Sequence, residues 1–154
     1  MTPEKRLEEL GIELPPPPAP LGAYVPVLKT GNLLFLSGIL PVREGRLIKA
    51  GKLGAGIDEQ EGFMLARAAA VNALAVVKGH LGELGSVKRC LKLTGYVACV
   101  PGFTGQAAVL NGASELLVQV LGDAGRHVRA AVGVAALPMD SPLEIEFIFE
   151  VVQS

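Results

Sequence analysis

The stretches R-A-A-V-G-V-A-A-L-P, Arg129 to Pro138, and L-E-I-E-F-I-F-E, Leu143 to Glu150, decide the fold. In the second, Leu143, Ile145, Phe147, Phe149 and Val151 fall on one face of an extended chain, and Glu144, Glu146, Ile148 and Glu150 on the other. This alternation predicts a half-buried strand over Leu143 to Val152. The first stretch predicts another strand, Arg129 to Ala136, joined to it by a turn at Pro138 to Pro142. Arg129 stands at the mouth of this otherwise apolar strand. A guanidinium is costly to bury without a partner, and its planar fork suits a carboxylate held through two hydrogen bonds. Glu144 is the candidate partner, either in a structural ion pair or as the second member of a site.

Upstream of these strands, Asp58-Glu59-Gln60-Glu61 carries a capping-box-like signal and predicts a helix from about Glu59 to Leu84, ended by Gly85-Ser86. Phe63, Ala66, Ala70, Leu74, Val77 and Leu81 form its apolar stripe, and the alanines let it lie close to a sheet. Cys90 to Val100 reads as a strand that turns Leu91, Leu93, Val97 and Cys99 toward the helices. Lys92, Thr94 and Tyr96 take the other face. On this spacing Cys90 and Cys99 point to opposite faces, which argues against an internal disulfide. A second long helix is predicted over Thr104 to Leu121, stopped by Gly122.

Tyr24 to Leu28 and Leu33 to Ser37 read as a hairpin about Thr30-Gly31-Asn32. Gly45 to Ile48 reads as a shorter strand, and Gly51 to Gly56 as a flexible loop that lacks the ending of a phosphate cradle. Thr2-Pro3-Glu4 starts a short helix that Gly11 stops. Pro15 to Pro18 and Pro20 then make a stiff extended arm along the domain edge. Residues 1–20 are thus read as an arm and 21–154 as the domain. The order of elements is that of an α+β sheet with both long helices on one face.

The composition narrows the function. At 154 residues the chain fits one domain with a real core. It is 50% hydrophobic with a mean hydropathy of +0.44, which points to surface buried against other subunits. The sheet face away from the helices mixes charge with apolar residues, as a subunit interface with polar clefts would. A net charge of −1 and a pI near 6.1 leave no electrostatic footprint for nucleic acid. No uninterrupted apolar run reaches the ~20 residues of a membrane span. The first residues lack a signal-peptide core, so a cytoplasmic location is expected. Two cysteines are too few for a zinc site. His80 and His127 read as structural or surface residues, and Ser37 lacks the elbow of a serine hydrolase.

Four motifs in order carry a resemblance: L-G-A-Y-V (Leu21 to Val25), F-L-S-G-I-L-P (Phe35 to Pro41), R-A-A-V-G-V-A-A-L-P and L-E-I-E. Together they resemble the Rid (reactive intermediate deaminase, or YjgF) family over about Ala19 to Val152. The resemblance implies a chorismate-mutase-like fold and a homotrimer with sites at subunit interfaces. For the deaminase branch it implies hydrolysis of enamines and imines such as 2-aminoacrylate to 2-oxo acids and ammonia. It places Arg129 as the grip on a substrate carboxylate and Glu144 beside the attacking water. Tyr24, Ser37, Gly38 and Asn111 match residues lining the pocket. Ala131 stands where deaminase members commonly carry cysteine, and Gly133 where an acidic residue is frequent. No metal or organic cofactor is implied, because an iminium carbon is already electrophilic. The partner implied is a small 2-imino or 2-oxo acid. An endoribonuclease role, described for some members, is disfavoured here by the missing basic stripe, aromatic platform and histidine pair.

Overall fold

A computed structural model describes residues 1–20 and 22–153. Leu21, which opens the first motif and the expected domain, and Ser154 lie outside the described residues. The elements run α1 (Pro3–Glu9), β1 (Val27–Thr30), β2 (Leu33–Leu36), β3 (Val42–Arg43), β4 (Arg46–Leu47), β5 (Lys52–Leu53), β6 (Gly56–Ile57), α2 (Glu59–Leu81), β7 (Val87–Ala98), α3 (Gln106–Leu121), β8 (Val128–Val134) and β9 (Leu143–Val151). The main sheet has the order β1-β2-β9-β7-β8, and α2 and α3 cover one of its faces.

The α+β architecture is the one expected from the pattern of elements. The turn between the last two strands does not make them neighbours, however. β7 lies between β8 and β9, pairing parallel with β8 and antiparallel with β9. The β8–β9 connection crosses the end of β7, where the Ala98 N–H donates to the Pro142 carbonyl at 2.9 Å. A parallel β7–β8 pair requires a crossover, and α3 supplies it. β8 is therefore an edge strand.

The core lies between the sheet and the helices. Leu143, Ile145, Phe147, Phe149 and Val151 are all buried, as their alternation predicts, and the rings of Phe147 and Phe149 stack with centroids 6.0 Å apart. In α2 the stripe residues Ala66, Ala70, Leu74 and Val77 are buried, but so are Leu65, Ala69, Ala73 and Val76 on its flank. The wider buried arc follows from α2 packing on α3 as well as on the sheet. A Cβ on Gly112 would overlap the Phe63 carbonyl, so glycine sets the depth of that helix crossing. α2 is long and apolar enough to cross a membrane, yet this burial makes it a core helix. It ends at Leu81 with Gly82 as cap, earlier than Gly85-Ser86, which form part of a separate 3-10 turn.

Bulges correct the reading of β7. The register shifts between Val87 and Arg89 and again between Cys90 and Lys92. Cys90 is thereby fully buried and Leu91 only half-buried, the reverse of the expected phase. Cys99 packs against the same core, so the two cysteines do not face opposite ways. They are free thiols separated by roughly 30 Å of strand, far beyond disulfide reach. Gly51 to Gly56 is also no loose loop. It folds as β5 and β6, with Leu53 and Ile57 buried and the Val100 N–H donating to the Leu53 carbonyl.

Thr2 caps α1 by accepting the Lys5 N–H at 3.1 Å. The helix docks through buried Leu7, and the Glu4 carboxylate accepts the Leu84 N–H at 2.6 Å. Ile12 and Leu14 continue onto the core, and Pro17 lies against Gly79 of α2. The arm thus runs over the helical layer. The opposite sheet face stays open, and Val128, Lys92, Ile148, Phe35 and Leu28 form one row across all five strands.

Candidate functional site

Within one chain Arg129 and Glu144 are not partners. Arg129 is level with Leu93 of β7, and Glu144 with Tyr96. Two strand spacings and three residues put their backbones about 14 Å apart. The offset of three also turns them to opposite faces: Arg129 lies on the helix side with buried Leu93, Glu144 on the open side with Tyr96. The structure therefore rules out an intrachain ion pair and divides the expected site residues into two clusters.

The first cluster is built on β8 and α3. Arg129 Nη1 donates to Asn111 Oδ1 at 2.8 Å and to Ser114 Oγ at 3.1 Å. Asn111 and Ser114 are three apart on α3 and so share the helix face beside the edge strand. No salt bridge reaches Arg129 among the described residues. Both hydrogens of Nη1 are taken, which leaves the Nε–Nη2 edge for a ligand. That edge is one of the two-donor forks that match a carboxylate. The residue opens into a groove of about 530 Å³ lined also by Glu115, Gln119, Arg126 and His127. Ala131, two residues along, lies on the same helix-side lip and is exposed.

Ser114 and His127 also belong to this cluster, although no sequence motif marks them. His127 Nε2 is 2.9 Å from Ser114 Oγ, and its Nδ1 is 2.6 Å from the Gly125 carbonyl. The available signal was the spacing: Ser114 follows Asn111 by one helical turn, and His127 precedes Arg129 by two residues.

The second cluster lies at the junction of β2 and β9. Glu144, the second residue of β9, is half-buried, and burial, followed by the negative charge of Glu146, pushes its carboxyl above the usual range. Gly38 makes room for it: a Cβ there would stand 2.8 Å from Glu144 Cδ and 2.9 Å from Oε2. Ser37 precedes Gly38, and its hydroxyl donates to the Val25 carbonyl at 2.6 Å. This bond ties Ser37 to the segment carrying Tyr24, whose side chain is half-exposed. Tyr96 donates to Glu146 Oε1 at 2.5 Å, so Glu146 is occupied beside Glu144. Glu144, Gly38 and Ser37 are thus brought together, with Tyr24 on the adjoining turn, while Arg129, Asn111 and Ala131 belong to the other cluster.

Other chemistries find little footing. Burial pushes the Cys90 thiol up to about 12, which keeps it an inert core group. Among the described residues no three His, Cys, Asp or Glu side chains cluster as a metal cage would require.

The family model described as "YjgF/chorismate_mutase-like, putative endoribonuclease" matches residues 4–151. Protein TCP17 of Trypanosoma cruzi is 41% identical over 145 residues, covering 94% of this chain and 91% of that protein. The crystal structure of Atu1372, a protein of unknown function from Agrobacterium tumefaciens, is 45% identical with a TM-score of 0.91, covering 97% of this chain and 92% of that one. A Shewanella oneidensis structure, named an endoribonuclease on a provisional basis, is 36% identical with a TM-score of 0.95, covering 98% and 100%.

Proposed function

The chain belongs to the YjgF (Rid) family, and from that premise we propose that it hydrolyses small 2-imino acids, of the 2-aminoacrylate type, to 2-oxo acids and ammonia. The observation that carries this reading is the Nε–Nη2 edge of Arg129, oriented by Asn111 and Ser114 and in no salt bridge among the described residues. Such an edge fixes the substrate carboxylate and with it the position of C2. Glu144, half-buried and with a raised pKa, suits a group that takes a proton from water and returns it to nitrogen. Water attacks C2 as Glu144 accepts its proton. Glu144 returns that proton to the nitrogen of the resulting amino alcohol, the C–N bond breaks as the C2–OH oxygen forms the carbonyl, and the hydroxyl proton passes back to the Glu144 carboxylate as ammonia leaves. The Ser37 hydroxyl, its hydrogen engaged by Val25, offers an acceptor to the substrate N–H.

Because Arg129 and Glu144 lie on opposite faces of one sheet, this chemistry requires two chains. The homotrimer implied by the family resemblance meets that need, with Arg129 of one subunit facing Glu144 of another. The reading places the protein in the cytoplasm, where pyridoxal-phosphate enzymes release such intermediates.

The test is subunit complementation. Arg129→Ala and Glu144→Gln are each expected to abolish acceleration of 2-oxo acid formation from enzymatically generated 2-iminobutyrate. Unfolded and refolded together at equal amounts, they should regain about a quarter of the wild-type sites, since each site draws one residue from each of two chains. An active Arg129→Ala variant, or no recovery on mixing, would contradict the shared site.

Ala131 favours a second reading, in which the same cleft binds a small carboxylate without turnover. It brings no functional side chain to the position where deaminase members commonly carry cysteine. That reading predicts saturable binding of 2-oxo acids, lost in Arg129→Ala, with no rate acceleration by wild type.

A further inference from the structure

We propose that Ser114 and His127 form a positioning relay that sets which edge of Arg129 faces its ligand, with His127 acting through Ser114. The inference rests on the reading of Arg129 as a carboxylate grip and names the residues that aim it. Its direction follows from donor and acceptor capacity. The Gly125 carbonyl can only accept, so His127 Nδ1, 2.6 Å away, carries the hydrogen. In the neutral ring Nε2 is then an acceptor, and the hydrogen it meets is that of the Ser114 hydroxyl at 2.9 Å. Having donated to the imidazole, Ser114 Oγ presents lone pairs to Arg129 Nη1 at 3.1 Å.

The far end of the relay is fixed by close packing. Gly125 closes the 3-10 turn Gly122–Gly125 against α3, and a Cβ on it would overlap the Leu117 carbonyl. The glycine lets its own carbonyl sit beneath His127. At the near end, Asn111 and Ser114 hold Nη1 at two points and so define the plane of the guanidinium. Without the serine hydroxyl one anchor remains, and the plane can swing about the Asn111 contact. Because a two-point carboxylate grip depends on that plane, the relay acts on ligand affinity rather than on bond making.

Two measurements test it. Long-range proton–nitrogen spectra of the wild-type protein at neutral pH should show His127 as the Nδ1–H tautomer. They should also show slowed rotation of the Arg129 guanidinium, lost in Ser114→Ala. An Nε2–H tautomer, or an Arg129 signal indifferent to Ser114→Ala, would overturn the relay without reference to any ligand. Calorimetry with 2-oxobutyrate should then show Ser114→Ala binding about tenfold more weakly, and Ser114→Thr within about twofold of wild type. His127→Phe should weaken binding about fivefold in the wild-type background and cost nothing further in Ser114→Ala. Additive losses would mean that His127 does not act through Ser114. If wild type binds no 2-oxobutyrate, the carboxylate grip falls, and the tautomer and guanidinium spectra alone decide the relay.

Discussion

Gly38→Ala tests the water-activating half of the site without touching a titratable group. The backbone at Gly38 does not occupy the left-handed region, so alanine itself is tolerated there. The added Cβ is not. It would lie 2.8 Å from Glu144 Cδ, 2.9 Å from Oε2 and 3.0 Å from Cγ. Carbon contacts are comfortable at about 3.5–4.0 Å, leaving a shortfall of about 0.7 Å or more at Cδ. Glu144 is flexible and half-exposed, so its carboxylate yields. An off-rotamer side chain costs about 1 kcal/mol, which lowers the melting midpoint by about 2–4 °C in a chain of this size. Catalysis is less forgiving, because a displacement on the order of 1 Å at a reacting group costs about a hundredfold. The expected result is a kcat reduced about a hundredfold for 2-iminobutyrate hydrolysis, with 2-oxobutyrate affinity at Arg129 kept within about twofold. A kcat within twofold of wild type would refute the placement of Glu144 at the reacting centre. A loss of turnover matched by loss of the folded state would refute the argument that the clash is local.

Glu144→Gln should abolish turnover while raising stability slightly at neutral pH. A carboxyl whose folded pKa lies above its unfolded value is best tolerated protonated, and its contribution to stability falls as pH rises through the folded pKa. Removing the charge removes that loss, so the gain in melting midpoint should be present at pH 8 and vanish at pH 4. An equal gain at both would break the link to ionisation. Glu146→Gln should move the acid limb of the kcat profile to lower pH, because it removes the smaller of the two causes that raise Glu144. Burial, the larger cause, remains, so the limb should still lie above that of an ordinary glutamate. A limb that stays in place would exclude Glu144 as the group titrating there.

The strands of the core were legible wherever alternation was undisturbed. In β9 every second residue is buried, as its pattern requires. β7 was legible only from Lys92 onward, because two bulges before it shift the phase, and a bulge leaves no compositional trace beside Cys90. Strand order was out of reach of periodicity. A short turn joins β8 to β9, yet the parallel pairing of β7 with β8 puts β7 between them. The same gap explains the site. Arg129 and Glu144 were identified as residue types with chemistry to do, but which face each occupies depends on cross-strand register, which no local pattern encodes. Ser114 carries no such signal, because a serine inside a helix is ordinarily solvent-facing. Only the edge strand beside α3 gives it a guanidinium to hold.

The position of β8 ties these observations to assembly. An edge strand presents unpaired backbone groups and needs covering, and this one also exposes Val128 and Val132 at 67% and 39%. Val128 ends the largely apolar row that runs through Lys92, Ile148 and Phe35 to Leu28 across the open face. A lone chain would leave that row in water, with half-buried Glu144 four residues along β9 from Ile148 and in no salt bridge among the described residues. On the same chain Arg129 sits at the lip of the opposite face, also in no salt bridge among the described residues. A second copy laid with its β8 lip across the open face would cover the row. It would also bring the unpaired guanidinium toward the unpaired carboxylate, with a cleft between them for an anion and a water. Under the proposed shared site the row and the two separated charges would meet in one contact between copies, and mixing two inactive variants is the experiment that can tell a shared site from two solitary ones.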